Sequence, residues 1–70
     1  MECVVYIQWD DEANVWITSN DYFPFALESE SLDALMDRVR SIIPEMVDLN
    51  HLVMPKYLTF NVVCREEVSA

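Results

Sequence analysis

Basic side chains are scarce in this sequence, and their scarcity limits the partners that the protein can have. The 70 residues include four lysines and arginines and thirteen aspartates and glutamates, which gives a net charge of −9. Nucleic-acid binding relies on lysine and arginine to neutralise phosphates, so no direct nucleic acid binding by this chain alone is expected. The negative charge instead favours encounter with a basic protein surface, although a merely solvated surface would account for it equally well.

Cysteine and histidine are also few, which argues against a metal site. Cys3 and Cys64 lie near opposite ends of the chain. Two cysteines are too few for a disulfide scaffold, and no export signal is recognised that would favour disulfide formation. We interpret both as reduced, partly buried thiols that do not pair with each other. The single histidine, His51, belongs to no Cys-x-x-Cys or His-x-x-x-His spacing, so neither a metal nor another cofactor is predicted.

Long apolar runs are absent as well. No stretch approaches the roughly 20 apolar residues that a membrane-spanning helix needs, so no membrane partner is predicted. A hydrophobic content of 53% with 24% charged residues is typical of a folded chain rather than a disordered one. Glu2 stands where a secretory signal would have a basic residue, so we expect a cytoplasmic protein. Residues 1–70 predict one domain, of marginal stability unless an oligomer or a permanent partner supports it.

The apolar residues that are present alternate in a way that predicts β-strands. Period-two alternation predicts four strands, over residues 3–9, about 15–19, 23–27 and 57–65. The turn 10–14 contains no glycine, so aspartate or asparagine must supply any left-handed conformation there. Pro24 has no N–H to donate to a ladder, and it therefore marks the third strand as an edge.

Between the third and fourth strands, the apolar spacing changes to that of an amphipathic helix. The stripe consists of Leu32, Leu35, Met36, Val39, Ile42, Ile43, Met46 and Leu49. Ser31 and Asn50 are the candidate caps, and Pro44 predicts a kink or a break because it removes one N–H. We expect Val39 and Ile42 to lie in the core, against Ile7 and Phe60.

These elements predict an α+β fold of the order β-β-β-α-β. A single helix between strands three and four makes strand four parallel to strand one, by a right-handed crossover. The simplest result is a mixed four-stranded sheet of order 3-2-1-4 with the kinked or broken helix on one face. In the hairpin we expect Trp9 to face Val15 and Ile7 to face Ile17, so the helix covers the face with Val5, Ile7, Trp9, Val15 and Ile17.

The opposite sheet face has no second helix to cover it, and we interpret it as a partner-binding surface. Clustered exposed aromatic residues are typical of interfaces, where tyrosine and tryptophan are enriched. The predicted partner-binding residues are Tyr6, Trp16, Thr18, Tyr57 and Thr59, with Val63 beside them. The alternative is a hairpin register shifted by one residue, which would place Trp16 in the core.

Four short motifs carry a family resemblance. They are Trp9-Asp10-x-Glu12-Ala13-x-Val15-Trp16, Phe25-Ala26-Leu27, Ser31-Leu32-x-Ala34-Leu35 and Ile43-Pro44-Glu45-x-x-x-Leu49-Asn50. Together they resemble the small uncharacterised domain family grouped with HicB-like antitoxins, closely over residues 4–50 and weakly over the last strand. Relatives commonly have Pro-Gly after the second strand, where this chain has Pro24-Phe25.

The resemblance implies a fold and a partner. The implied fold is β-β-β-α-β, like a reduced ribonuclease H core, and the implied role is to restrain a small basic RNA-cleaving toxin of the HicA kind. Longer HicB proteins also carry a C-terminal DNA-binding domain. Only residues 66–70 follow the last predicted strand here, so self-contained operator binding is not implied.

A ribonuclease H relative could in principle keep a carboxylate metal site. That two-metal chemistry needs an aspartate in the middle of strand one, where this chain has Val5, Tyr6 and Ile7. We expect His51 to be a solvated loop residue, and similar exposure is expected of the candidate acids Asp10, Asp11, Asp21 and Glu28. No catalytic residue is predicted, and the protein is expected not to be an enzyme.

Two functions of different classes are therefore expected from the sequence. In the first, the chain is a HicB-like antitoxin that binds a small basic toxin and covers its RNA-cleaving site. In the second, it is a free-standing homo-oligomeric domain that binds a small ligand or another protein and has no toxin partner. A neighbouring reading frame that encodes a short basic protein with one histidine would favour the first.

Overall fold

The computed structural model describes residues 2–65 and 68–69 and contains the predicted α+β fold. Its elements are β1 (Glu2–Asp10), β2 (Val15–Ser19), β3 (Glu28–Ser29), α1 (Leu32–Asn50) and β4 (Tyr57–Val63). They form a four-stranded mixed sheet of order β3-β2-β1-β4, in which β1 is antiparallel to β2 and parallel to β4. The β-β-β-α-β arrangement and the strand order are thus confirmed. In the part of the chain that is described, no helix has the length and apolar character needed to cross a membrane.

The hairpin between β1 and β2 is closed by Asp10 and Asn14. The Asp10 carboxylate accepts from the backbone N–H groups of Glu12 at 3.0 Å and Ala13 at 3.3 Å. The Asn14 N–H donates to the Asp10 carbonyl at 2.8 Å, and Asn14 has a φ of 56°. Asparagine therefore supplies the left-handed residue of this glycine-free turn, as the sequence predicts.

The hairpin register differs by one residue from the prediction. Trp9 lies opposite Trp16 rather than Val15, and Ile7 lies opposite Thr18. A shift of one residue turns every side chain of a strand to the other face. Trp16 and Thr18 therefore lie on the face that α1 covers, and Ile17 lies on the uncovered face.

Two features account for the observed register. The rings of Trp9 and Trp16 pack edge to face, with centroids 5.2 Å apart and an interplanar angle of 64°, an arrangement that stabilises cross-strand pairs. In addition, pairing Asp10 with Val15 leaves the four-residue loop 11–14. Loops of this length are common in hairpins and suit the left-handed Asn14. The alternative register, which the sequence left open, is the correct one.

The predicted third strand over residues 23–27 is wrong, because β3 is short and begins at Glu28. The Asn20 side-chain oxygen accepts from the N–H groups of Tyr22 at 2.9 Å and Phe23 at 2.6 Å, which bends the chain after β2. Such local side-chain bonds compete with strand pairing. Phe23 is nevertheless buried. Its predicted inward orientation is therefore confirmed, while its predicted strand conformation is wrong.

Thr18 connects the irregular segment between β2 and β3 to the sheet through hydrogen bonds with Leu27. Its hydroxyl oxygen accepts from the Leu27 N–H at 3.0 Å, and its own N–H donates to the Leu27 carbonyl at 3.0 Å. Both backbone groups of Leu27 are therefore satisfied without a regular strand. Thr18 is buried, and these bonds remove the cost of burying a polar side chain.

The helix begins and ends at specific caps. The Ser31 hydroxyl accepts from the Ala34 N–H at 3.2 Å, as expected of an N-cap. The helix continues through the exposed Pro44, so no break occurs there. His51, rather than the predicted Asn50, is the C-cap, with a left-handed φ of 53°. The Asn50 side chain instead donates to the Met46 carbonyl at 3.0 Å, within the last turn.

The core lies between α1 and the covered face of the sheet. Its buried apolar residues are Cys3, Val5, Ile7, Phe23, Leu35, Val39 and Ile43. Val39 is buried as predicted, but Ile42 is only half-buried and Ile43 takes the core position. Because Leu35, Val39 and Ile43 recur every four residues, they form one line along the helix, and Ile42 lies beside it.

The two cysteines have different environments. Cys3 is buried, and this burial raises the pKa of its thiol above the ordinary value. Cys64 is exposed, which corrects the expectation that both thiols are partly buried. Cys3 lies beside Leu58 on the neighbouring strand. Cys64 follows Leu58 by six residues, so at 3.3 Å per residue it lies about 20 Å from the position beside Cys3. A disulfide requires α-carbons within about 7 Å of each other.

We predict that Ile43→Ala lowers the free energy of unfolding by about 2–5 kcal/mol, because it removes buried methyl groups and leaves a cavity. The matched change Ile42→Ala, one residue away on the same helix, should cost less than half as much, since Ile42 is half-buried. Urea denaturation at one protein concentration measures both. Equal losses would show that the helix register is wrong.

We also predict that the two thiols react at different rates. In the folded, reduced protein, a thiol reagent should label Cys64 rapidly and Cys3 only after unfolding, because a buried thiol with a raised pKa is a poor nucleophile. Mass spectrometry of the labelled peptides distinguishes the two sites. A Cys3–Cys64 linked peptide in a non-reducing digest would contradict the parallel pairing of β1 and β4.

Candidate functional site

The candidate site is the sheet face that α1 does not cover, which we call the outer face. On β1 it contains Val4, Tyr6 and Gln8, which alternate with the buried Cys3, Val5 and Ile7. Pairing then fixes its neighbours: Ile17 and Ser19 on β2 and, on β4, Tyr57, Thr59, Asn61 and Val63. No element within the described ranges packs on this face.

The outer face has an apolar and aromatic centre. Tyr6 on the central strand β1 is 44% exposed, and Tyr57 and Val63 on β4 are 61% and 50% exposed. Half-buried Val4 and Ile17 extend the apolar surface between them. Apolar groups that lie together on a protein surface, rather than singly, are characteristic of interaction sites.

Carboxylates border this centre on several sides. Glu2 is beside Tyr57, and its carboxylate accepts a 2.5 Å hydrogen bond from the Thr59 hydroxyl. Glu28 lies opposite Ile17 at the far side of the sheet. Asp21 lines a shallow hollow that also contains Glu2 and Tyr6. Thr59 therefore holds one carboxylate of the border in a fixed position, which lowers the entropy that the side chain loses on binding.

The few cations near the outer face lie at the two ends of β4. The Lys56 ammonium lies 5.5 Å from the centre of the Tyr57 ring, close enough for a cation–π interaction. Arg65 lines a hollow with Gln8 and Val63 at the other end. Neither of these two cations lies on the β1–β2 side, and among the described residues no salt bridge pairs Asp21 or Glu28.

The structure brings three of the five predicted partner-binding residues together and separates the other two. Tyr6, Tyr57 and Thr59 lie on the outer face. Trp16 and Thr18 lie on the opposite face, where Trp16 packs against the core and Thr18 holds Leu27. Their placement on the outer face is therefore wrong, and the reason is the one-residue shift of the hairpin.

The same shift brings two residues to the outer face that sequence reasoning placed in the core, Val15 and Ile17. Ile17 lies next to Gln8, which in turn lies next to Val63, so an apolar row crosses three strands with one amide in it. Asn14 is the signal that could have identified this arrangement. A left-handed asparagine at the last loop position favours a loop that ends immediately before Val15.

The acids considered for catalysis do not converge. The middle of β1 is apolar apart from Tyr6, and the Asp10 carboxylate is engaged with turn N–H groups. Over residues 2–65 and 68–69, no three histidine, cysteine, aspartate or glutamate side chains are grouped so that they could hold a metal ion. What the outer face offers chemically is apolar contact, tyrosine hydroxyls and carboxylates, which are groups suited to binding.

Comparisons with known proteins support the fold and name no activity. The sequence profile of a family described as "Domain of unknown function (DUF1902)" matches residues 2–69. Among solved structures, the hypothetical protein TTHA1013 from the extremely thermophilic bacterium Thermus thermophilus is similar, with a TM-score of 0.74. The two chains are 22% identical and the match covers 100% of each, so this likeness shows a shared fold alone. A comparison with curated proteins finds no match.

The face assignment predicts effects of different size on the free energy of unfolding for two aromatic residues of the hairpin. Trp16→Ala should lower the free energy of unfolding by about 2 kcal/mol or more, because the indole packs against the core and Trp9. Tyr6→Thr should change it by less than about 1 kcal/mol, since the ring is exposed and threonine retains the strand preference. Thermal or urea denaturation measures both. The reverse order would contradict the observed register.

Proposed function

The chain belongs to the DUF1902 family, whose description assigns no function, and from the outer face we propose one. The protein is a non-catalytic binding module of the antitoxin type. It neutralises a small basic RNA-cleaving toxin, similar to HicA, by protein–protein contact in the cytoplasm. The observation that carries this proposal is the outer face itself, with exposed tyrosines bordered by carboxylates.

The composition of the outer face fits a protein partner. Interfaces combine an apolar, aromatic centre with a polar rim, and tyrosine is among the residues whose removal costs the most binding energy. Tyr6 lies at the middle of the sheet, and Tyr57 lies four residues farther along the strands, directly beside Glu2 of the border. Both rings are held on regular strands, so little order has to be gained when a partner binds.

The charge of the chain favours a partner that itself binds RNA. A protein that cleaves RNA must present lysine and arginine to phosphates. The outer face offers the carboxylates of Glu2, Asp21 and Glu28 to the same cations, and the net charge of −9 speeds the encounter. Binding at the RNA-contacting surface of the toxin would then exclude the substrate directly.

The kind of partner is suggested by the motifs that resemble the HicB-like group. These motifs lie in the hairpin, in the segment 25–27 before β3 and in the helix, and they specify the fold that presents the outer face. Membership of DUF1902 confirms that the chain belongs to a small uncharacterised domain family. The grouping of this chain with HicB-like antitoxins is part of the proposal. The proposed toxin is a short basic protein encoded beside this chain.

A second candidate function is a homo-oligomeric domain that binds a ligand or another protein and has no toxin. One observation favours it: in the described part of the chain, strand β4 forms a long open edge of the sheet and carries no charged side chain. A surface of that kind suits association between copies of the same acidic chain. The two candidates predict different results when the neighbouring basic protein is tested.

We predict that the outer face determines the affinity for this basic protein. Tyr6→Thr and Tyr57→Thr should each weaken binding by about 2 kcal/mol, or roughly 30-fold in Kd, because they remove aromatic anchors. The double change Glu2→Gln, Glu28→Gln should slow association and reduce its salt dependence. Calorimetry and stopped-flow kinetics with the purified proteins measure these effects, and RNA cleavage by the toxin measures neutralisation.

A matched control separates the outer face from overall charge. The double change Glu45→Gln, Asp48→Asn removes two carboxylates from the exposed side of α1 and alters the net charge equally. It should leave the affinity and the inhibition of RNA cleavage nearly unchanged. The proposal is wrong if the neighbouring protein neither binds nor cleaves RNA, or if the helix variant weakens binding as much as the outer-face variant.

A further inference from the structure

Strand β4 leaves one edge of the sheet open. It pairs with β1 on one side, and its other side is the outer edge of the order β3-β2-β1-β4. The open row of N–H and C=O groups extends over the seven residues of Tyr57–Val63. The opposite edge, β3, is only two residues long. Of the two edges in the described structure, β4 is therefore the one long enough to pair with another strand.

The sequence of β4 has none of the usual devices that protect an edge. Native edge strands avoid pairing by means of lysine, proline, inward-pointing charges or a covering segment. β4 reads Tyr-Leu-Thr-Phe-Asn-Val-Val, with no charge and no proline. Val62 on the helix side is 42% exposed, so α1 does not extend over the end of this strand. Such an edge readily accepts a further strand.

The charge distribution indicates which strand it accepts. Two copies of a chain with a net charge of −9 repel each other over most of their surfaces. The repulsion is least along β4, because the strand itself carries no charged side chain and pairing along it brings no two carboxylates of the strand together. A second copy can therefore approach this edge with less electrostatic cost than any other part of the sheet.

We propose that β4 pairs antiparallel with β4 of a second copy about a twofold axis, so that two four-stranded sheets become one continuous sheet. A twofold axis perpendicular to the sheet keeps both outer faces on one side and both helices on the other. Val62 and Phe60 of the two copies then cover each other on the helix side. This association rests on the β4 edge and stands whether or not a basic partner binds the outer face.

Sedimentation velocity and light scattering over a range of concentrations test the proposal. The wild-type chain should have twice the mass of 8.2 kDa. Asn61→Lys, beside the centre of β4, should raise the Kd of the dimer by about fivefold or more, because it brings two like charges together across the axis. Ser19→Lys makes the same charge change on the outer face of β2 and should leave the dimer intact.

A strictly monomeric wild-type chain would overturn the proposal, and so would a folded Asn61→Lys variant that dimerises as well as Ser19→Lys. If Tyr6→Thr abolished the dimer, the interface would be the outer face instead, because Tyr6 lies on β1 and its loss leaves the β4 edge intact. Should Asn61→Lys fail to fold, hydrogen exchange of the wild type decides the question. All β4 amides should be protected at high concentration, and every second one should lose protection on dilution. Unprotected alternate amides at high concentration would contradict edge pairing.

Discussion

The edge-to-face contact of Trp9 and Trp16 is the interaction on which the rest of this structure depends. It fixes the hairpin register together with Asn14, whose left-handed conformation closes the four-residue loop. Because side chains alternate along a strand, this single pairing decides which residues of β2 enter the core and which reach the outer face. The candidate binding surface is therefore a consequence of the turn as much as of the residues that form it.

The same register explains how the remaining elements are attached. With Thr18 on the covered side, its hydroxyl and backbone satisfy Leu27, and residues 21–27 can stay irregular while Phe23 fills the core. The helix then contributes Leu35, Val39 and Ile43 against the inward residues of β1. Within the described residues, this leaves a small core, an uncovered face bordered by carboxylates and an open edge at β4, and the two proposed associations rest on that face and that edge.

The sequence predicts those parts of the fold that depend only on the alternation of apolar and polar residues within a single strand. The alternation within β1 and β4 places Tyr6, Tyr57 and Thr59 correctly, because their neighbours Val5 and Phe60 are apolar. It cannot place Trp16 or Thr18, since both hairpin registers give β2 an apolar face. The third strand was predicted over residues 23–27 instead of Glu28–Ser29, because Asn20 forms local side-chain bonds that period-two alternation does not reveal. Ile42 and Ile43 are adjacent in one apolar stripe, and only packing against the sheet distinguishes them.

The most direct test of this account is the register of the β1–β2 hairpin in solution. Nuclear Overhauser contacts between backbone α-protons of opposite residues report it without mutation, and alternate pairs along an antiparallel ladder give strong contacts. The account predicts these contacts within the observed pairs, such as Ile7 with Thr18 or Gln8 with Ile17. Contacts of Ile7 with Ile17 would contradict it, because Trp16 would then lie on the outer face and Ile17 in the core.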